Sequence, residues 1–143
     1  MPQLFPTYDL PEFLDDKSQY DTRYKRSCAW NPNKGDFVQD GAHKIIGASG
    51  KEAYMTWCYK TVMTERFKCL AYPDEIGVEM DEAVKEPDEK AVESAIERTI
   101  TEALKVNPRT EYVRDFQFYW DSDTIHVSFV VKGVDSEEFK ITT

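Results

Sequence analysis

The sequence predicts an α+β fold, with two main helices packed on a small antiparallel sheet of three to four strands and an extended arm in front. Three observations carry this. Two stretches repeat their apolar residues at three- and four-residue steps, the period of a helix with one buried face. Residues 112–143 instead alternate apolar and polar positions, the period of a strand with a core on one side and water on the other. Residues 1–35 show neither period and are punctuated by Pro2, Pro6, Pro11 and Pro32.

That first segment reads as the arm. Tyr8, Phe13, Tyr20, Tyr24 and Trp30 are scattered along it. Proline lacks the amide hydrogen a strand ladder needs, so the segment cannot bury these rings against itself. It is expected to lie over its own domain or over a neighbour, with the domain proper at 36–143. A short hairpin follows, 36–38 returning as 43–46, with Gln39-Asp40-Gly41 as the turn.

The first helix should begin at Ser49, which with Glu52 has the S-x-x-E spacing of a capping box. Ala53, Tyr54, Trp57, Cys58, Thr61 and Val62 form its apolar stripe, read as a core face, and it should end near Arg66 or Phe67. Residues 74–89 hold eight acidic residues and one lysine, with Gly77 and Pro87 among them, and read as a polar loop. Pro87 suits the first turn of the second helix, where Asp88 and Glu89 complement the positive end of the helix dipole. Ala91, Val92, Ala95, Ile96, Thr99, Ile100, Ala103 and Leu104 make its apolar face, and Pro108 stops it.

Strands complete the chain. In 112–120, Phe116, Phe118 and Trp120 fall on one face, with Asp115 and Gln117 on the other. The turn Asp121-Ser122-Asp123 leads into 124–132, where Ile125, Val127, Phe129 and Val131 alternate with His126, Ser128 and Lys132. After Gly133, Phe139 and Ile141 give a short third strand. Its edge is expected to be open, able to accept a strand from another chain.

Composition narrows the function classes. A chain of 143 residues with 41% hydrophobic content suits one domain with its own core. Residues 1–70 carry a net charge of +1 and residues 71–143 a net −10. No basic stripe exists for releasing counterions from a phosphate backbone, so direct nucleic-acid binding is disfavoured. The acidic half favours a basic protein partner, although a solvated face is the simpler account of any one acidic run. No run of about 18 apolar residues exists to span a bilayer. Residues 1–10 lack the pattern of a secretory leader. Cys28, Cys58 and Cys69 contain no C-x-x-C pair and read as reduced thiols of a protein made in the cytoplasm.

Catalytic constellations are weak. His43 and His126 cannot build a paired-histidine metal site, and His126 sits on the polar side of its strand. Gly47-Ala48-Ser49-Gly50-Lys51 lacks the spacing of a P-loop and reads as a turn and cap. No cofactor or metal is expected. Glycoside hydrolysis needs one carboxyl raised by an apolar pocket and a second kept ionised. Glu65 and Asp115 are the residues to weigh for the first role, but Glu65 followed by Arg66 is more simply an ion-paired helix end.

Several segments taken in order resemble a known family. They are Trp57, Thr64-Glu65-Arg66, Ala71-Tyr72 and Gly77; then Arg98-Thr99-Ile100-Thr101-Glu102-Ala103-Leu104; then Asn107-Pro108-Arg109 and Val113-Arg114-Asp115-Phe116. Over about 44–143 the chain resembles the baseplate wedge, or sheath-initiator, family of contractile tails, in the branch found in PBSX-like prophages of Gram-positive bacteria. The resemblance implies a non-enzymatic assembly role in the baseplate of a phage or phage-derived bacteriocin. The implied partners are the sheath protein, other wedge proteins and hub or tube proteins, in a six-fold particle. Many members carry Glu-Pro-Arg after the second helix, in contact with larger wedge proteins. Here Asn107 replaces the Glu, while Pro108 and Arg109 are kept. The C-terminal sheet would template the first sheath ring, with Phe139, Lys140 and Ile141 beside the added strand. A peptidoglycan-cleaving tail lysozyme and a free-standing acidic binding protein are the alternative readings.

Overall fold

The computed structural model describes residues 24–134 and 136–143. In chain order the elements are β1 (Ser27–Cys28), β2 (Trp30–Asn31), β3 (Asp36–Phe37), β4 (Gly47–Ala48), α1 (Lys51–Val62), α2 (Met80–Ala83), α3 (Glu89–Lys105), β5 (Thr110–Asp121), β6 (Thr124–Gly133) and β7 (Phe139–Thr142). The main sheet is antiparallel in the order β5-β6-β7, so β6 is central. Its inward residues Val127, Phe129 and Val131 share one core with Cys58 and Val62 of α1 and with Ile96, Ile100 and Leu104 of α3. Helices and small antiparallel sheets are combined in one α+β chain, with three strands in the main sheet and three helices among the described residues.

The other four strands form two small ribbons, β1 with β4 and β2 with β3. Of the expected arm, residues 1–23 lie outside the described residues. The described part is tied to the domain: Tyr24 packs its ring 5.2 Å from that of Tyr54 and donates its hydroxyl to the Val134 carbonyl. A boundary between 35 and 36 falls inside the β2–β3 pairing, where Trp30 faces Phe37. The expected hairpin forms only in part, because Asp36–Phe37 pair with Trp30–Asn31 and the turn falls after Asp40 instead of over residues 39–41. Gln39 bridges Ile45, Asp40 N donates to Lys44 O at 2.9 Å, and Ile46 N donates to Val38 O at 3.0 Å.

Both ends of α1 differ from expectation. Gly50 is the N-cap, at φ 60° and ψ −134°, and no side chain caps the helix. That glycine turn sets the first helical residue at Lys51, one position too late for Ser49 to reach across, so the capping box does not form. Glu52 still lies in the first turn, beside the dipole's positive end. The helix stops at Val62 because the backbone of the next residues is used elsewhere. Thr64 O accepts Val78 N at 2.9 Å, and Arg66 N donates to Val78 O at 2.8 Å, a parallel bridge incompatible with another helical turn.

The acidic stretch is more ordered than a polar loop. Val78 and Ala83 are buried in the core, and residues 80–83 form α2. At α3, Asp88 is the N-cap, which places Pro87 just ahead of the helix instead of in its first turn. The helix ends at Lys105 with Val106 as C-cap, before Pro108. In β5 the sequence pattern hides a bulge. Arg114 pairs with Val130 and Gln117 with Ser128, so β5 carries one extra residue there. Asp115 sits in it at φ 58°. The insertion explains why Val113 and Phe116 both turn towards the core although three positions separate them.

Candidate partner-binding surfaces

The turn from α3 into β5 is built from Asn107, Pro108 and Arg109. Asn107 Oδ1 accepts Arg109 N at 3.0 Å, and Thr110 N donates to Asn107 O at 3.0 Å. Thr110 Oγ1 donates to Leu104 O at 2.7 Å. Its one hydroxyl hydrogen is thereby committed, so Tyr54 must be the donor in the 2.6 Å bond between Tyr54 Oη and Thr110 Oγ1. Arg109 O accepts Val134 N at 2.8 Å. The backbone of the triplet is therefore fixed by α1, α3 and the end of β6. Asn107 and Arg109 are half-buried and Pro108 is exposed. The Asn side chain closes the turn locally, through the amide two residues on, a job for a short side chain. Beside it lies a cleft of about 260 Å³ lined by Tyr24, Tyr54 and Trp57 and by three cations, Lys25, Arg26 and Arg109.

The second surface is the free side of β7. Val127 and Thr143 exchange two backbone bonds, each 2.9 Å, across the end of β6 and β7. Hydrogen-bonded and non-bonded pairs alternate in an antiparallel ladder. With the observed register, Ile141 and Phe139 face Phe129 and Val131 in bonded pairs, while Lys140 and Thr142 turn their N–H and C=O groups outward. Among the described residues no strand lies on that side. The three residues named from sequence thus have unequal parts. Phe139 and Ile141 are buried and hold β7 to the core, and Lys140 presents the outward backbone groups. Thr142, the second such residue, was missed, because the phase of the ladder is set by register with β6 and not by the β7 sequence.

Glu138, just before β7, accepts the Tyr112 hydroxyl and an Arg114 Nη2 bond at 2.5 Å. These contacts, the Tyr112 hydrogen bond foremost, hold its carboxyl below the usual Glu range. They link the two outer strands across the exposed side of β6.

Sequence reading also missed the loop after α1. Met63, Phe67, Leu70 and Tyr72 are exposed there. Arg66 Nε donates to Asp74 O at 2.5 Å and Arg66 Nη1 lies 3.5 Å from Glu79 Oε1. Glu65 Oε1 accepts Asp81 N at 3.2 Å, and Lys68 pairs with Asp81. Gly77, at φ 110°, has no room for a side chain: a Cβ would come within 2.7 Å of Thr64 O. Thr64-Glu65-Arg66 and Gly77 are therefore the fasteners of this loop. The expected Glu65–Arg66 ion-paired helix end is absent, because each side chain reaches across to residues 74–81.

Neither carboxylate weighed for hydrolysis sits in an apolar enclosure. Glu65 holds the Asp81 amide, and Asp115 is exposed beside Arg114 at 3.5 Å. His126 is exposed, its ring stacked 6.2 Å from that of Tyr119. Among the described residues no group of three or more His, Cys, Asp or Glu is placed to hold a metal ion. No described helix is long and apolar enough to cross a membrane.

The family model described as contractile injection system sheath initiator matches residues 26–136. The chain belongs to that family. It is also 33% identical over 86 residues to the phage-like element PBSX protein XkdS of Bacillus subtilis (strain 168). That alignment covers 59% of this chain and 61% of the relative, so the chain spans less than two thirds of the curated protein it matches. The resemblance to a PBSX-like sheath initiator therefore stands, and with it a structural role in a contractile tail. The family match includes the 107–109 turn and β6, and ends before β7 begins.

Proposed function

We propose that this sheath initiator joins wedge proteins near the hub of a six-fold baseplate and templates the first sheath ring by accepting a strand along β7. The supporting observation is the outward-facing backbone of Lys140 and Thr142, on a regular edge anchored by two buried side chains. Unpaired amides and carbonyls in that arrangement are completed by an incoming strand in the same plane. Phe139 and Ile141 keep the template rigid. Lys140 and Thr142 supply the bonds.

The wedge contact is assigned to Asn107, Pro108 and Arg109. An aromatic cleft lined by Lys25, Arg26 and Arg109 gathers three cations at one surface, which suits an acidic partner. Arg109→Ala should lower the yield of assembled wedges without changing the fold. Wild-type yield would remove that role.

The sheath role is tested by assembling tails without this chain and imaging them by negative stain. Tubes with baseplate parts but no ordered sheath are expected. Sheaths of normal length in its absence contradict the proposal.

A further inference from the structure

We propose that the loop between α1 and α2 is a rigid docking knob for a different protein of the tail, one presenting an apolar pocket with a Lys- or Arg-rich rim. This rests on the tail reading above and adds a third contact surface to it.

Surface loops are ordinarily polar, yet this one exposes Met63, Phe67, Leu70 and Tyr72, and Leu70 is fully in solvent at 104% relative exposure. The loop does not fold back to bury them, because its backbone is committed elsewhere. Thr64 and Arg66 bond both sides of Val78, which is itself buried at 1% exposure. Arg66 Nε holds the Asp74 carbonyl, and Lys68 pairs with Asp81. Phe67 takes φ 68°, a conformation that bulky residues rarely adopt, with its ring 4.7 Å from the Arg66 guanidinium. These ties present the apolar tip already shaped.

Charge identifies the kind of occupant. The cations of the region, Arg66, Lys68 and Lys85, are matched by Glu79, Asp81 and Glu82. Among the described residues Asp74 and Glu75 have no ion pair, so uncompensated negative charge lies in the loop beside the tip. A basic rim complements it. A symmetric pair of copies would set Asp74 and Glu75 against themselves, and an anionic lipid surface would repel them.

Cys69, exposed within the loop, reports on its occupancy, and buried Cys58 serves as the internal control. Free chain and purified tails are treated with a maleimide, and labelled peptides are quantified by mass spectrometry. Cys69 should react readily in the free chain and be protected in tails, with Cys58 unlabelled in both. Leu70→Asp and the double change Asp74→Lys with Glu75→Lys should keep the wild-type melting temperature. Each should lower incorporation into tails about tenfold, the loss of one interface anchor. Equal labelling of Cys69 in tails, or normal incorporation of Leu70→Asp, overturns the inference. So does a free dimer that Leu70→Asp dissolves, since that assigns the knob to a second copy. A chain missing from purified tails contradicts the tail reading itself, and this inference with it.

Discussion

The two margins of the main sheet are built on different terms. β5 runs twelve residues along one side and breaks register twice, with Asp115 inserted at φ 58° and a second shift between Thr110 and Tyr112. β7 runs four residues along the other side in unbroken register. A bulge and an inserted charge spoil the flat row of donors and acceptors that a foreign strand needs, a common protection for long edges. The regular margin is kept short, which limits accidental pairing by a different route. One sheet can thus refuse partners on one side and remain competent on the other, and the difference lies in backbone geometry more than in hydrophobicity.

The comparison breaks most severely if β7 loses its anchor. Ile141 is fully buried, and Ile141→Ala should cost about 2–5 kcal/mol in denaturant unfolding. Tyr119→Ala, on the exposed face of β5, should change stability by less than about 0.5 kcal/mol.

Alkali should act next most strongly, through Tyr54. Its ring stands 5.9 Å from Phe139 of β7, and its hydroxyl bonds Thr110 at the start of β5. Burial pushes the Tyr54 phenol far above its ordinary 10.0, and pushes the Cys58 thiol from 9.0 up to about 12. In the unfolded chain these groups ionise at their ordinary values, so rising pH draws protons from the unfolded state first and favours unfolding. Their stabilisation is complete below about pH 9 and is lost progressively as pH rises through about 12. The melting temperature, followed from pH 8 to 11, should fall along this course. Tyr54→Phe should begin about 0.5–1.5 kcal/mol less stable, from the lost hydrogen bond, and decline less steeply.

Deleting Asp115 sharpens the contrast between the margins. Without it, Val113 and Phe116 fall into strict alternation, so β5 becomes regular from Tyr112 onward while these side chains keep their face. The deletion should preserve the melting temperature to within a few degrees and produce concentration-dependent association, measurable by light scattering. The smallest effect is expected at Glu138, which is exposed and depressed below its ordinary 4.5. A depressed carboxylate stabilises above its unfolded pKa and loses that contribution as pH falls through the folded value. Glu138→Gln should therefore match the parent's melting temperature near neutrality, because exposed pairs contribute little, and differ only in a flatter decline below about pH 4.5.

Periodicity made most of this architecture legible. The apolar face of α3 and the alternation of β6 were visible because long, regular elements repeat their burial pattern many times. The bulge was not, since one inserted Asp between apolar residues also reads as an ordinary outward position. Nor was the early end of α1, which is decided by a long-range bridge to Val78 and not by local preference. Gly77 was noticed within the acidic stretch, but its steric reason, the close approach of Thr64, exists only in three dimensions. At the candidate surfaces, sequence located β7 and the 107–109 turn. It could not say which residues of β7 turn their backbone outward, because the ladder phase depends on register with β6.

Lys140→Pro tests that phase directly. Proline removes the outward N–H of Lys140 and leaves the bonds of Phe139 and Ile141 to β6 in place, a substitution an edge strand tolerates. Purified baseplates carrying it, with Lys140→Ala as the control for charge, are mixed with sheath protein and imaged by electron microscopy. Intact baseplates that fail to nucleate sheath, beside normal nucleation on the alanine control, are the predicted result. Sheaths starting from the proline baseplates as readily as from wild type would contradict strand addition at β7.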